Sequence, residues 1–581
     1  MIFFPIRLLA AILVGVSAAT TMSLLLAMLF GTLTTMISAV SLGAGLVAGL
    51  LACRACRDRV DRQHALSSLD YLIIFFFTLS CFRQFFWLYF YKNGDLLTLN
   101  HHNLGDLPSH IQFINYFAKG ARFWPELPYF VGEKFHYPFG MDLFGALFVG
   151  LGLPIGIVLP LTGFILAMVT LGALLYWGGG FTAAGFLFSG GVTGFAWLTT
   201  GTLKDAQATG ALPWISLATT LLISQRGFLF AFPCGLLLLW SWRRRFVLQT
   251  SDSAQASQTL SSERPLPLPL EGFLWGTLPV FHVHTFIFLS ALFAVWVVAT
   301  RRFKEGFFIF LWAVVPATLE MVMLTDFFKK GGMFWVKWGW LMEDQNPFLF
   351  FMTQFGFLMF LLLFTLYDVV TKKKKEEALL LYPGLAFFSI CFVVVFAVWI
   401  VDNMKLMVWC YLLILPVMGR VFAERVRPPW QIPVYGVFFF TGFLAVFGQY
   451  HSSNGGVGIA TMKEVNGVCE ATKDLPVSGR FATVQTYNHP VALCGHPLVA
   501  GYAGHLGGLG LDSAVQTEQL RRLMMGDPAW QDLSVSLQAH YLFWGSREQQ
   551  EYPASTRPWE REAVRIAQGG WGTIYDLSSR P

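Results

Sequence analysis

The sequence predicts an all-α polytopic membrane protein with about 11–13 transmembrane helices and a small extracytoplasmic α/β domain at its C-terminus. Three observations carry that prediction. Of 581 residues, 55% are hydrophobic, 16% aromatic and only 13% charged, with a mean hydropathy of +0.56. Apolar runs long enough to cross a hydrocarbon core of ~30 Å recur along the chain. Residues 451–581, by contrast, have the composition of an ordinary soluble domain.

The net charge of +6 does not point to nucleic acid, because the basic residues cluster at the ends of apolar runs, where orientation signals belong. Six of the eight cysteines (Cys53, Cys56, Cys81, Cys234, Cys391, Cys410) lie in or beside apolar runs. CRAC at 53–56 has metal-ligand spacing, but no second pair matches it, which argues against zinc. Cys469 and Cys494 could pair if the tail is extracytoplasmic, and the sequence leaves that open.

Taken in order, the run from Leu8 to Cys53 holds no charge and is long enough for two helices with a break near Gly31–Thr34. A cleavable signal ending near Ala18–Ala19 is an alternative that leaves sidedness unchanged. Arg54, Arg57, Arg59 and Arg62 then mark the cytoplasmic side, so the next span, near Tyr71–Tyr91, points outward. Residues 93–141 form the first outer loop. Apolar stretches follow near 143–158, 160–177 and 181–200, then a short run at 212–224 and a span at 227–242 closed by WRRRF. An odd number of crossings is required, so 143–158 and 212–224 either both cross or both lie along the outer face; Gly152 and Pro154 favour the second.

The segment 249–271 reads as a polar, Pro-ended cytoplasmic loop within the linker 243–272. Two short helices should meet at HVH (282–284). A span near 307–324 leads to a second outer loop at 326–347, and the span after it ends in KKKKEE, a cytoplasmic anchor. Spans at 379–400, then down to Arg420, Arg425 and Arg427, then from Trp430 to Tyr450, leave the tail outside. The domains are therefore 1–92, the loop 93–141, the bundle 142–450 and the tail 451–581. In the tail, RFATVQTY, HPVALCG and HYLFWGS read as strands, SAVQTEQLRRLMMG and AWQDLSVSLQA as amphipathic helices. No internal repeat of the transporter kind is visible.

Chemistry concentrates in the first outer loop. It holds four of the twelve histidines, including His110 and His136, and the acids Asp95, Asp106, Glu126 and Glu133. Asp106 and His110 are four apart in DLPSHIQFINYFAKG, whose Leu107, Ile111, Ile114 and Ala118 form an apolar stripe. That pattern predicts an amphipathic helix on the membrane face with carboxylate and imidazole side by side. Such a pair can take a proton from an acceptor hydroxyl or share a divalent ion. The structural alternative is a helix N-cap, since Asp with Pro two residues later is a common helix start.

Arg226, His282, His284 and Lys405 fall at the outer ends of spans, where a charge near lipid usually has a task. A lipid phosphate would supply one; snorkelling or hydrogen-bonded burial is the alternative. Glu133, His136 and Tyr137 in the loop, with Trp338 in FWVKWGW, are candidates for holding an acceptor or sugar. An interfacial aromatic belt is the plainer reading of that Trp.

The loop beginning GDLPSH and continuing FAKGARFWPELPYFVGEKFHYPFGMDLFGAL resembles the first outer loop of the GT-C superfamily. Those are integral-membrane glycosyltransferases that take sugars from polyprenyl-phosphate carriers. FSGGVTGF (188–195), SQRGFLFAFP (224–233), GTLPVFHVHTF (276–286), WVKWGW (335–340), DNMK (402–405) and NHPVALCGHPLVAGY (488–502) extend the resemblance, to a little-characterised, mostly bacterial group, over about residues 100 to 580.

The resemblance implies a catalytic acid at Asp106, acting as general base or metal ligand, and basic residues on later helices for the carrier phosphate. Two features depart from the pattern. Leu107 and Pro108 stand where many relatives have a second acid, which puts metal dependence in doubt, and two spans rather than one precede the helix that feeds the loop.

The expected activity is transfer of a sugar from a polyprenyl-phosphate donor to a glycan, lipid or protein acceptor outside the cytoplasm. Asp106 and His110 would be catalytic, Arg226, His282, His284 and Lys405 would face the phosphate, and Glu126, Glu133 or Glu320 would be fallback bases. No cofactor is certain, and a divalent metal remains open. The competing classes are a transporter or flippase, and a relative that binds lipid or a partner without turnover. None of the nine asparagines starts an Asn-x-Ser/Thr acceptor, which favours a bacterial inner membrane.

Overall fold

The computed structural model describes residues 5–56, 66–202, 214, 216–248, 264–329, 334–342, 344–448, 450 and 455–578. Arg57, Arg59 and Arg62, the middle of the linker 243–272 and part of the loop 326–347 lie outside the described residues. The chain is a multi-pass helical membrane protein with a small C-terminal sheet domain.

The charge-free start forms α1 (Ile6–Phe30) and α2 (Thr35–Ala55), broken at Gly31, whose φ of 88° a side chain would resist. The two cross closely because small residues line the contact. A Cβ on Gly45 would sit 2.5 Å from the Gly15 carbonyl, and one on Gly49 2.7 Å from that of Ala11. Helix α3 (Ser68–Phe86) starts on a capping box between Ser67 and Asp70. A hairpin of β1 (Phe90–Lys92) and β2 (Asp95–Thr98), turned at Asn93 and Gly94 with positive φ, leads into α4 (Asn103–Ala118).

Helix α5 (Gly140–Gly150) stops at Gly152 and Pro154, so the stretch expected at 143–158 is an 11-residue helix and a turn. Next, α6 (Ile155–Leu187) is two arms joined at Gly178 and Gly179, where the backbone leaves helical geometry. The second arm turns back: Phe181 packs on Phe422 and Tyr435, the Gly185 carbonyl accepts from Tyr411, and Phe188 meets Phe443. The return path then proceeds as irregular backbone threaded between neighbours. A Cβ on Gly191 would lie 1.5 Å from the Thr353 carbonyl oxygen, and one on Gly442 2.1 Å from that of Phe188.

Among the described residues nine helices are long and apolar enough to cross a membrane, or ten if the pair Pro347–Phe355 and Leu358–Thr371, bent by 100°, counts as one. The sequence expected about 11–13, and the count covers the described residues alone. Several apolar runs do not stay regular helix throughout. The run at 181–200 is regular only to Leu187, 212–224 holds one five-residue π turn among its described residues, and Arg226–Trp242 has 17 residues before passing into π geometry. At HVH the chain breaks as expected, with His282 extended between Leu278–Phe281 and Val283–Thr300.

The two ends of the bundle differ. One gathers Asp70, Arg243, Arg244 and Arg420, and, in an ion-pair network, Asp368, Lys372, Lys374, Glu424 and Arg425. The other carries α4, the loops and the tail. The tail is tied to the loop rather than hung from the last helix. Its first strand, Val457–Thr461, pairs antiparallel with β2, and residues 498–501 bond to 128–131 through Leu498 N to Pro128 O (2.6 Å), Val131 N to Val499 O (3.0 Å) and Gly501 N to Tyr129 O (2.7 Å).

A separate four-stranded sheet (Arg480–Ala482, Ala539–Trp544, Gly572–Asp576, Val564–Gly569 in spatial order) forms the core of the tail. RFATVQTY and HYLFWGS supply strands there. HPVALCG, expected as a strand, is a short helix, because Pro490 sits at its first position and His489 caps it through Val491 N. Cys469 and Cys494 are bonded, with Cα atoms 5.2 Å apart.

Candidate functional site

Helix α4 organises the outer end. It was expected to lie on the membrane face with one apolar stripe buried; the structure corrects this. Leu107, Ile111 and Ile114 are buried as expected, but so are His110, Gln112, Phe113 and Phe117, because the tail covers the polar face. Gln112 donates to the carbonyls of Pro128 and His496, and Asn115 donates to that of Leu493 at 2.7 Å.

Asp106 does not cap this helix. The cap position belongs to His102, and Asp106 lies inside the first turn, where the helix dipole favours an anion. No described residue donates a hydrogen bond to its carboxylate. Instead Asp106 lines a cavity of about 370 Å³ shared with His110, Tyr137, Asp402, Lys405 and His505. Phe113, Tyr129, Trp399 and Tyr502 add aromatic wall.

Each partner is held by a distinct device. His110 donates from Nδ1 to Asp142 Oδ2 at 2.9 Å, which leaves Nε2 as the nitrogen with a lone pair. Asp142 also accepts from Arg226 Nε at 3.0 Å, and all three side chains are almost fully buried. Asp402, on the turn before Met404–Arg425, pairs at 2.9 Å with Lys405 in the first turn of that helix. Asn403 between them pins that turn, donating to the Cys391 and Val394 carbonyls at 2.6 and 2.9 Å.

From the tail, His505 Nδ1 meets Ser109 Oγ at 3.1 Å. Burial pulls the His505 pKa down, and the charge of Asp106 opposes that shift. The Tyr129 and Tyr137 phenols are pushed up, first by burial and then by Asp106, so they stay neutral donors.

Of the residues expected from sequence, the cavity thus brings together Asp106, His110, Tyr137 and Lys405. Arg226 stands behind His110, its charge committed to Asp142, and does not line the cavity. His282 caps the following helix, accepting from Thr285 N at 3.2 Å and stacking on Phe228, while its Nε2 is buried without a partner among the described residues. His284 is half-buried beside it, with ring centroids 5.6 Å apart.

Glu133 and His136 lie 4.0 Å apart, and His136 donates to the Leu324 carbonyl, away from the cavity. Trp338 is 73% exposed and touches Phe392 edge-on. The fallback acids are engaged elsewhere: Glu126 with Arg480 at 2.7 Å, Glu320 with the Val280 N–H at 3.0 Å. No group of three or more His, Cys, Asp or Glu side chains that could hold a metal ion occurs among the described residues.

Sequence reasoning missed Asp142, Asp402, Tyr502 and His505 as parts of one site. A lone acid in the apolar run GMDLFGALFVG is itself a signal, because a charge in such a run needs a partner. The DNMK motif pointed at Asp402. Nothing local marks His505.

No protein-family model and no curated protein matches the chain. Among solved structures it is similar to the crystal structure of the Archaeoglobus fulgidus oligosaccharyltransferase in the apo form. That likeness has a TM-score of 0.42 and 11% sequence identity, over 84% of this chain and 71% of that one.

Proposed function

We propose that the chain is a glycosyltransferase that moves a sugar from a polyprenyl-phosphate carrier to an acceptor on the extracytoplasmic face of a bacterial inner membrane. The observation that carries this reading is the Asp106 carboxylate, left without a hydrogen-bond donor in a cavity that also holds a lysine and two histidines. An unpaired carboxylate there is suited to accept a proton, and Lys405 to meet an anion. The resemblance of the loop to GT-C first outer loops supports the reaction class. The basic clusters at the far end of the bundle, and the Cys469–Cys494 bond, support an extracytoplasmic cavity.

In this reading the carrier phosphate leaves readily once its charge is met by Lys405, with His284 nearby. The acceptor hydroxyl loses its proton to Asp106 as its oxygen attacks the anomeric carbon and the sugar–phosphate C–O bond breaks. His110, oriented by Asp142 and Arg226, accepts a hydrogen bond from the acceptor, and the aromatic walls hold the sugar ring.

The test is turnover by the purified full-length chain on a panel of polyprenyl-phosphate sugars, read alongside glycan profiles of a deletion strain and its parent. Transfer by the wild type that disappears in Asp106→Asn is the expected result. Substrate moving across vesicles without any new glycosidic bond would replace the enzyme by a transporter.

A further inference from the structure

The larger of the two polar cavities described here is at the other end of the bundle. It measures about 620 Å³ and is bounded by the start of α3, the reversal in α6 and the ends of Arg226–Trp242 and Met404–Arg425. Lys405 and Arg420 sit on one helix, so the two cavities are separated by roughly 22 Å along it. Trp177, Gly179, Arg243, Arg244, Arg420 and Tyr435 are on the inner wall.

We propose that this second cavity is a binding site for a phosphate group. Three guanidinium groups face one wall carboxylate, Asp70, and Asp70 is already engaged by Ser67 through N and Oγ at 2.8 Å each. Arg420 is matched by Glu377 at 2.9 Å and Glu424 at 2.6 Å. Arg244 lies flat over Trp240, 4.1 Å from the ring centre. The Arg243 guanidinium makes no hydrogen bond or ion pair with any described residue, its Nε is buried, and Glu376 and Glu377 act on its charge only through space. Its one contact of note is the Trp177 ring, at 5.8 Å.

A half-buried guanidinium that no described residue holds by a hydrogen bond or ion pair is open to an anion of forked oxygen geometry. The wall around it is built rather than loose. The chain reverses at Gly179 with φ of 70°, and Gly180 is pressed so close to Asp70 that a Cβ would lie 2.0 Å from Oδ1.

The remaining wall, with Leu69, Phe181, Phe422 and Tyr435, suits the organic part of a phosphoester. The rim adjoins helix faces that expose Leu72, Phe75 and Ile432, so lipid reaches the entrance. A phospholipid headgroup and a soluble phosphate present the same chemistry, and the experiment separates them.

The full-length chain in neutral detergent is titrated with phosphatidylglycerol or phosphatidylcholine and read by native mass spectrometry. In parallel, inorganic phosphate and pyrophosphate are titrated while tryptophan fluorescence is followed. Saturable binding of phosphatidylglycerol over phosphatidylcholine identifies a lipid headgroup; binding of the inorganic anions alone identifies a soluble ligand. Either should weaken about tenfold or more in Arg243→Gln and survive in Arg243→Lys, melting curves confirming that each variant is folded. Should Arg243→Gln not fold, Arg244→Gln carries the same comparison. The proposal is overturned if neither probe binds the wild type saturably, or if both glutamine variants bind as the wild type does.

Discussion

His110 Nδ1 and Asp142 Oδ2 lie 2.9 Å apart with both side chains almost fully buried, and that bond fixes which ring nitrogen is left for the candidate reaction site. It joins the loop 93–141 to α5, and through Arg226 to the helix Arg226–Trp242. The charge of Asp142 is balanced by Arg226, so removing either of these two leaves an isolated charge in the interior.

Asp142→Ala should therefore destabilise the protein by ~3–5 kcal/mol, the usual penalty for breaking a buried pair from one side. The double change Asp142→Leu with Arg226→Met should recover much of the melting temperature without restoring turnover. Thermal melting in detergent, with turnover measured on each variant, checks both halves. A double variant as unstable as the single one would mean that the pair is not the source of the loss.

Asp106→Asn should leave melting unchanged and reduce turnover by ~10²–10⁴, the range for loss of a placed general base. The cap alternative predicts the reverse pattern for Asp106→Ala, a loss of ~0.5–2 kcal/mol in stability with activity kept. Since the cap position is His102, near-normal turnover in Asp106→Asn would remove the proposed mechanism altogether.

Acid should loosen the tail from α4. His496 is buried against Phe481, and its Nε2 lies 3.0 Å from Lys119 Nζ; burial and then that cation push its pKa down to about 3. Above the unfolded value near 6.5 both states are neutral and nothing changes. As pH falls from there towards 3 only the unfolded state takes the proton, so stability drops by up to about 1.4 kcal/mol per pH unit. Melting curves across that window should show the slope, and His496→Gln should flatten it.

Gly191→Ala should be far more damaging than Gly436→Ala. A Cβ at the first would overlap the Thr353 carbonyl, whereas nothing lies within 4 Å of one at the second. Overpacking of this kind costs ~1–3 kcal/mol or more when the obstacle is backbone. Equal melting temperatures would show that the threaded return path after α6 is not packed as described.

Cysteine labelling reads the orientation directly. In intact cells Val535→Cys, at a position 73% exposed, should react with an impermeant thiol reagent, and Lys373→Cys only after lysis. The opposite pattern would place the candidate cavity in the cytoplasm and end the extracytoplasmic reading.

How far the sequence foretold this arrangement depends on the range of each interaction. Hydropathy and Arg/Lys clusters are local, so α1, α2, α3 and the closing helices were visible, as was the break at HVH. Helical persistence is not encoded by hydropathy alone. The run after Gly180 stays apolar while its backbone becomes irregular beyond Leu187. Asp106, His110, Tyr137 and Lys405 were legible because each is a polar group beside an apolar run. Arg226 was read as facing a ligand because its partner lies 84 positions away and nothing nearby in sequence announces it. His505 reaches the cavity only because residues 498–501 add to the loop at 128–131, a pairing no periodicity predicts.

The pairing of β2 with Val457–Thr461 has a consequence for how a cell makes this protein. The early loop emerges on its side of the bilayer long before its partner strand has been translated, and until then it presents an open edge to other chains. The Asp106 cavity cannot be closed while the chain is still being made; it is completed only when the final segment has been synthesised and has paired with the loop. A nascent chain stalled in the last helix would thus be inserted, yet carry an unfinished loop for a chaperone or protease to find.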